Sequence, residues 1–192
     1  MKLRIRAALA LAALLVLAGC QITTFEQAPL AALPCDPAVV GEWHSIGEAP
    51  SGDGEMILRV AADCQLSVEE RTAEGPRIGE PTRLFLGEHA GRRYAWTDAG
   101  WLLRRFEEDH PVPAGDVHLV RFAIEGDRLS LWSTDDKRIA HAIIDGDLSG
   151  EVSARDRRLF NRLVGPPSPE VLEHAGLFDD ASADFRKIEP RP

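Results

Sequence analysis

The chain has 192 residues, with 22 Lys and Arg against 31 Asp and Glu, and a formal net charge of −9. This length suits one domain with a sizeable core. An acidic surface repels phosphate backbones, which argues against a nucleic-acid partner.

The leader has the three zones of a secretory signal peptide. It begins with the basic residues Lys2, Arg4 and Arg6, continues as an unbroken run of Ala, Leu and Val over 7–17, and ends in small residues before Cys20. This layout is typical of export signals. The apolar run is too short to cross a bilayer, which takes about 20 residues. We therefore expect residues 1–19 to be removed.

The end of the leader, Leu17-Ala18-Gly19-Cys20, resembles the lipobox of bacterial lipoproteins. The resemblance implies that the Cys20 thiol receives diacylglycerol and that the chain is cut just before it. Two or more acyl chains hold a protein stably on a bilayer. The alternatives are an ordinary signal peptide with an unmodified cysteine and an uncleaved anchor. In Gram-negative members of the family, Asp after the cysteine favours retention in the inner membrane. Gln21 therefore implies the outer membrane, facing the periplasm.

Cleavage would leave 173 residues with 19 basic and 31 acidic side chains, a net charge of −12. Residues 20–34 contain small and polar residues broken by Pro29 and Pro34, and this predicts a lipidated cysteine followed by a flexible tether. Residues 35–192 are expected to form a single β-rich domain with a short C-terminal helical segment and a tail.

Two further cysteines, Cys35 and Cys64, belong to this mature chain. Export would place them in an oxidising compartment, where an even pair usually forms a bond. We expect a disulfide between them. Two buried free thiols and a metal-binding pair are the alternatives.

From residue 41 onward apolar and polar residues alternate in short runs joined by Gly and Asp turns. The runs lie at 56–60, 66–68, 84–86, 94–96, 101–105, 117–124 and 128–132. This pattern predicts a mainly-β fold, an antiparallel meander of about eight strands in a barrel or sandwich. The absence of a βαβ rhythm excludes a doubly wound sheet.

The pattern changes after Trp132. Residues 139–144 fit either a short helix or a further strand. Ser168-Pro169-Glu170 is typical of a helix start, and Gly176 would end that helix. Residues 179–192 are expected to form a charged tail with one apolar pair.

Gly41-Glu42-Trp43 opens the first of these runs. A Gly-x-Trp at the start of an eight-strand meander resembles the calycin superfamily, which includes the lipocalins. The resemblance implies a β-barrel in which the Trp fills one end. The alternative is an ordinary core Trp.

One segment resembles the calcium loop of an EF-hand, with oxygen-bearing residues at alternate positions and a Gly at the sixth. Its candidate ligands are Asp145, Asp147, Ser149, Glu151 and Asp156. Asp156 has a shorter arm than the usual Glu, and no partner loop exists. The pattern favours the alternative, a Gly/Asp turn leading into a strand, and we expect no metal site.

No motif indicates catalytic residues or a cofactor. The six histidines show no HxH or HExxH spacing, and neither a Gly-x-Ser-x-Gly nor a phosphate-binding glycine loop is present. The first hypothesis is therefore a non-enzymatic, lipid-anchored envelope protein that binds a protein partner or a small apolar ligand. The alternatives are a periplasmic hydrolase-like enzyme whose site is assembled from scattered residues, and a calcium-stabilised domain.

Overall fold

The computed structural model describes residues 21–47, 54–105, 111–155 and 158–188. These residues form thirteen strands, two α-helices and one 3-10 helix. In chain order the strands are β1 (Gln21–Phe25), β2 (Gly41–Ser45), β3 (Glu55–Val60), β4 (Gln65–Thr72), β5 (Gly75–Ile78), β6 (Thr82–Arg83), β7 (Phe85–His89), β8 (Arg92–Asp98), β9 (Val117–Glu125), β10 (Arg128–Trp132), β11 (Gly150–Arg155), β12 (Arg158–Leu163) and β13 (Ala183–Ile188). The helices are α1 (Ala99–Arg105), α2 (Asp136–Asp145) and the 3-10 helix Pro169–Glu173. The mainly-β prediction is confirmed.

Most of the sheet curls into one antiparallel body, which we call the curled body. It runs from β4 through β3, β2, β13 and β10 to β9, β8 and β7. β6 pairs with β4, and the single residue Leu84 separates β6 from β7. β6 pairs with β4 and β7 pairs with β8, and the ladder of hydrogen bonds is interrupted between β6 and β7. No continuous ladder therefore runs around the body. The sheet is not a closed barrel, which corrects that part of the prediction.

A three-stranded wing of β1, β12 and β11 branches from β9. Along β9, β8 lies on one side, while β1 and β10 share the other. β1 runs parallel to β12, from the Gln21–Leu159 pair to the Phe25–Leu163 pair, and β12 pairs antiparallel with β11. The sheet is therefore mixed and has more strands than the meander of about eight that the sequence predicts.

The wing corrects the predicted tether. Gln21–Phe25 is a central strand, and within it Thr23 and Phe25 are 0% and 3% exposed. The run Gln-Ile-Thr-Thr-Phe is rich in β-branched residues, which fit a pleated surface. The following residues are irregular, but the Leu33 amide donates to the Leu86 carbonyl at 2.8 Å, so they are held against β7.

Two further predictions were wrong. Residues 101–105, read as an alternating strand, belong to α1, in which Ala99 and Leu103 lie four apart and are both buried. The Asp98 carboxylate accepts a hydrogen bond from the Trp101 amide at 2.6 Å, as at a helix start. The supposed tail contains β13, which pairs with β10 and β2 and buries Phe185.

The ambiguous segment 139–144 lies within α2. The side chain of Asp135 caps this helix by accepting from the Arg138 amide, and Gly146 ends it in the left-handed conformation. The predicted helix near residue 168 is a short 3-10 helix, and Ser168 makes no side-chain cap bond to it. None of the described helices is long and apolar enough to span a membrane.

Two apolar cores hold these layers together. One fills the inside of the curled body around Trp43, Phe122 and Phe185. Trp43 is fully buried, its Nε1 donates to the Val39 carbonyl at 2.9 Å, and the Lys187 ammonium lies 5.0 Å from its ring centroid. The second core lies outside the body, where α2 and residues after the wing cover β8, β9 and β1.

Candidate functional site

The first predicted site residue, Cys20, lies outside the described residues, as does the whole leader. Gln21, the residue after it, is the first residue of β1. The second prediction is confirmed: Cys35 and Cys64 form a disulfide, with 5.5 Å between their Cα atoms. This bond ties the segment after β1 to the turn between β3 and β4, inside the first core.

The calcium-loop residues do not surround a common point. Asp145 is the last residue of α2, and Gly146 and Asp147 donate their amides back to carbonyls of that helix. Gly150 already begins β11, so Glu151 is part of a strand, and Asp156 lies outside the described residues. Within the described ranges, no three His, Cys, Asp or Glu side chains come together to hold a metal ion. The segment is a helix end leading into a strand.

A candidate binding site is a cleft of about 560 Å³ at the carboxyl end of β1, which we call the β1 cleft. Its wall is largely apolar and is made by Phe25, Leu148, Leu163, Val164, Pro166 and Pro167. Polar side chains also line the cleft: Gln27, Asp147, Ser149, Ser168, Glu170, Glu173 and His174. A cleft of this volume with apolar walls and polar groups that can orient a ligand is typical of small-molecule sites.

His174 gives the β1 cleft a specific polar feature. Its Nδ1 is buried and has no hydrogen-bond partner among the described residues. An unpaired buried nitrogen is costly, and a ligand that pairs with it recovers that cost. Next to it, Glu173 Oε1 lies 2.7 Å from Nε2 of His89 on β7.

Nucleophilic hydrolases need a nucleophile within hydrogen-bond reach of a base. Across the part of the chain that the structure describes, no hydroxyl or thiol side chain hydrogen bonds to a histidine ring; His89 meets Glu173, and His118 meets the Thr23 carbonyl.

A buried polar cluster positions the wing beside the cleft. The Asp116 carboxylate, 1% exposed, accepts two hydrogen bonds from Arg162 on β12, at 2.7 and 3.0 Å. Arg162 also reaches Glu26, and Glu26 accepts from the Gly165 amide at 3.0 Å at the edge of the cleft. That amide, together with Arg162, lowers the pKa of Glu26. The cluster fixes the end of β1 to the chain that forms the cleft wall.

A second polar cluster lies under α2. Asn161 on β12 donates to the Thr23 hydroxyl at 3.0 Å and to the Asp136 carbonyl at 2.6 Å. The Thr134 hydroxyl donates to the Asp136 carboxylate at 2.8 Å. Burial raises the pKa of Asp136 despite these hydrogen bonds. The cluster attaches the start of α2 to the wing.

Six charged side chains on β2, β3 and β4 form a closed ring on the far side of the curled body. We call this cluster the charge ring. Around the ring they are Glu42, His44, Glu55, Arg71, Glu69 and Arg59, and every neighbouring pair lies between 2.7 and 3.0 Å apart. Ile57, in register with His44 and Glu69, is fully buried beneath it.

Sequence reasoning missed both the β1 cleft and the charge ring. The cleft is built from residues far apart in the chain, including a proline pair that the sequence marks only as a break. The ring has a partial signal, because Glu42, His44, Glu55, Arg59, Glu69 and Arg71 alternate with apolar residues along three adjacent strands. Alternation marks them as one face of a sheet, but not as partners.

The comparisons with known proteins give no relative: no family model, no curated protein and no solved structure matches this chain.

Proposed function

We propose that this chain is a lipid-anchored protein of the cell envelope whose β-domain is a non-enzymatic binding module. The leader that ends Leu17-Ala18-Gly19-Cys20 carries the proposal. The Cys35–Cys64 disulfide supports it, because such bonds persist in exported proteins and are rare in reducing compartments. Gln21 after the cysteine favours the outer membrane.

The position of β1 determines how a lipid on Cys20 would place the β-domain relative to the bilayer. A lipid on Cys20 would be joined directly to the first residue of a central strand, about 3.8 Å away along the backbone. The β-domain would then lie against the bilayer rather than hang from it. Phe25, where the β1 cleft begins, lies about 13 Å further along the strand. The cleft would thus open away from the anchor.

For the binding role, we propose that the β1 cleft takes a small apolar ligand with one polar group. The volume of about 560 Å³ and the largely apolar wall suit a small molecule rather than a protein segment. The unpaired Nδ1 of His174 supplies the partner for the polar group.

Fatty-acid labelling in the native host tests the anchor. The wild-type chain should take up labelled palmitate and fractionate with membranes, whereas Cys20→Ser should lose the label because the acceptor thiol is gone. The double variant Cys35→Ser, Cys64→Ser keeps the Cys20 thiol and is the matched control, which should retain the label. Equal labelling of wild type and Cys20→Ser would contradict lipidation at this residue.

Binding of the neutral apolar dye N-phenyl-1-naphthylamine to a lipid-free chain of residues 21–192 tests the cleft. We expect saturable dye fluorescence that falls in Val164→Trp, which fills the cleft. Ile78→Trp, at an apolar residue 68% exposed on β5, should leave it unchanged. Equal dye binding by both variants would place the apolar site elsewhere.

A further inference from the structure

Two arginines face each other on the outer side of the curled body. Arg121 on β9 is in register with Tyr94 on β8 and with Trp132 on β10. Its guanidinium lies 4.6 Å from the ring centroid of Trp132 and 5.5 Å from that of Phe178. Arg92, two residues before Tyr94 on β8, shares the same face. The two cations and three aromatic rings form one patch.

Neither arginine has an acidic partner. Within the described ranges no carboxylate lies at ion-pair distance from Arg92 or Arg121, whereas Arg59, Arg71 and Arg162 each contact two carboxylates. Burial, followed by the nearby charge of Arg92, lowers the pKa of Arg121. The positive charge of Arg121 is therefore held without compensation on a protein that is strongly acidic overall.

The aromatic rings leave the donors of Arg121 free. Trp132 and Phe178 attract the guanidinium through their faces. A guanidinium also carries five N–H donors along its edge, and these suit the oxygens of carboxylates and phosphates. No described side chain accepts a hydrogen bond from this edge.

Tyr94 adds a third donor. It is 1% exposed, and burial raises the pKa of its phenol, although the charges of Arg92 and Arg121 act in the opposite direction. The hydroxyl therefore remains protonated at neutral pH and can donate. The nearest acid in this patch, Glu173, raises the pKa of Tyr94 slightly and is engaged by His89 at 2.7 Å.

We propose that Arg92, Arg121 and Tyr94 form a binding site for a phosphate group. Two guanidinium groups and a phenol can supply charge-assisted hydrogen bonds to several oxygens of one anion, which would compensate the half-buried charge of Arg121. Trp132 and Phe178 hold Arg121 in place and form apolar walls beside the anion.

The phosphate could belong to a free small molecule or to a phospholipid headgroup. The pair Phe25–Val117 is antiparallel, so the chain before Phe25 runs toward the Arg121 end of β9. A bilayer held at Cys20 would then lie on that side of the molecule. The headgroup source rests on the proposed lipid anchor, whereas the phosphate site itself does not.

Titration of the mature protein in maltoside micelles with inorganic phosphate tests the site, with tryptophan fluorescence and the melting temperature as readouts at constant ionic strength. We expect saturable responses in the wild type. Arg121→Met and Arg92→Met should each weaken binding by about tenfold or more, the loss typical of one charge-assisted hydrogen bond. Arg83→Met is the matched control, because Arg83 also lies over an aromatic ring, 5.4 Å from that of Phe85, but is exposed on β6.

The same titration in phosphatidylcholine nanodiscs separates the two sources. If a lipid headgroup occupies the site, added inorganic phosphate should give no response in nanodiscs. If the site takes a free ligand, phosphate should give a response in both nanodiscs and micelles. If Arg121→Met fails to fold, Arg92→Met decides, since Arg92 is exposed. The phosphate site would be overturned if the wild type, Arg121→Met and Arg92→Met respond equally to phosphate. It would also be overturned if the wild type shows no saturable response in micelles. A missing fatty acid on Cys20 would instead overturn the anchor and leave the micelle result valid.

Discussion

At the scale of single residues, the contact between Asp116 and Arg162 joins the two parts of the sheet. Asp116 lies just before β9, in the curled body, and Arg162 lies on β12, in the wing. The carboxylate is 1% exposed and receives both hydrogen bonds of a bidentate pair. The hydrogen bonds that Arg162 donates to Asp116 outweigh desolvation and raise the pKa of Arg162. A buried pair of this kind is expensive to break, because the remaining charge stays buried without a partner.

Arg162→Met should therefore lower the free energy of unfolding by about 3–5 kcal/mol, measured by urea denaturation. The matched control is Arg104→Met on α1, where Arg104 is 71% exposed and meets Asp98 at 3.8 Å. A surface pair like this should change stability by about 0.5 kcal/mol or less. Equal effects of the two substitutions would contradict the role given to the buried pair.

At the scale of secondary-structure elements, the charge ring links stability to pH through His44. Burial disfavours charge on His44, but the hydrogen bonds that Glu42 and Glu55 accept from it outweigh burial and raise the pKa of the imidazole. Hydrogen bonds from His44 and Arg59 lower the pKa of Glu42, and those from Arg71 and Arg59 lower the pKa of Glu69. Glu42, Glu69 and His44 are charged together in a window between the titration of these two carboxylates and that of the imidazole.

The direction of the pH effect follows from these shifts. A raised pKa of His44 in the folded state adds stability that is fully present below pH 6.5 and is lost as pH rises through the folded-state pKa. The lowered pKa values of Glu42 and Glu69 add stability above pH 4.5 that is lost as pH falls. The ring stabilises most between these limits.

We predict that His44 contributes a decrease in the urea-unfolding free energy between pH 6 and about pH 8, opposite in sign to the contribution of His118, whose pKa is lowered by burial, and that His44→Gln removes this decrease. His141→Gln, at an exposed histidine on α2, should retain it. The same pH dependence in the wild type and in His44→Gln would show that the ring does not sense pH through His44.

Several elements could be read from the sequence, because local pattern and final environment agree there. β9 and β10 alternate clearly and surround a Gly-Asp turn, and the Cys35–Cys64 bond follows from export and an even count. β1 was missed because five residues beside a leader carry little periodicity, and their burial comes from β12, more than 130 residues away. α1 was misread because Trp101 and Leu103 fit a period of two, while Leu103 also fits the helical spacing of four from Ala99.

Removal of β1 tests whether this strand belongs to the domain. A chain that starts at Glu26 loses the ladder to β12 and the buried side chains of Thr23 and Phe25. Deletion of one buried Phe alone costs about 3–5 kcal/mol, a large part of the 5–15 kcal/mol typical of a domain. Compared with a chain that starts at Gln21, we expect a loss of more than about 3 kcal/mol by urea denaturation. Equal stability of the two chains would show that residues 21–25 belong to the tether and not to the domain.

At the scale of the whole molecule, the anchor, the wing and the β1 cleft form one arrangement. β1 begins beside Cys20, is held between β12 and β9, and ends at the cleft wall. Lipidation of Cys20 would therefore fix the orientation of the domain as well as its location. The interior of the curled body is filled by Trp43, Phe122 and Phe185, which is why binding is proposed for the outer side.

The central claim is that Cys20 is the lipid-modified first residue of a disulfide-bonded mature chain. Intact-mass spectrometry of the protein extracted from membranes tests it most directly, because one mass reports the cleavage site, the lipid and the disulfide. We predict the mass of residues 20–192 with the Cys35–Cys64 bond closed, plus a diacylglycerol group and any further acyl chain. A mass that fits residues 1–192, or a cleaved chain without added lipid, would contradict the account.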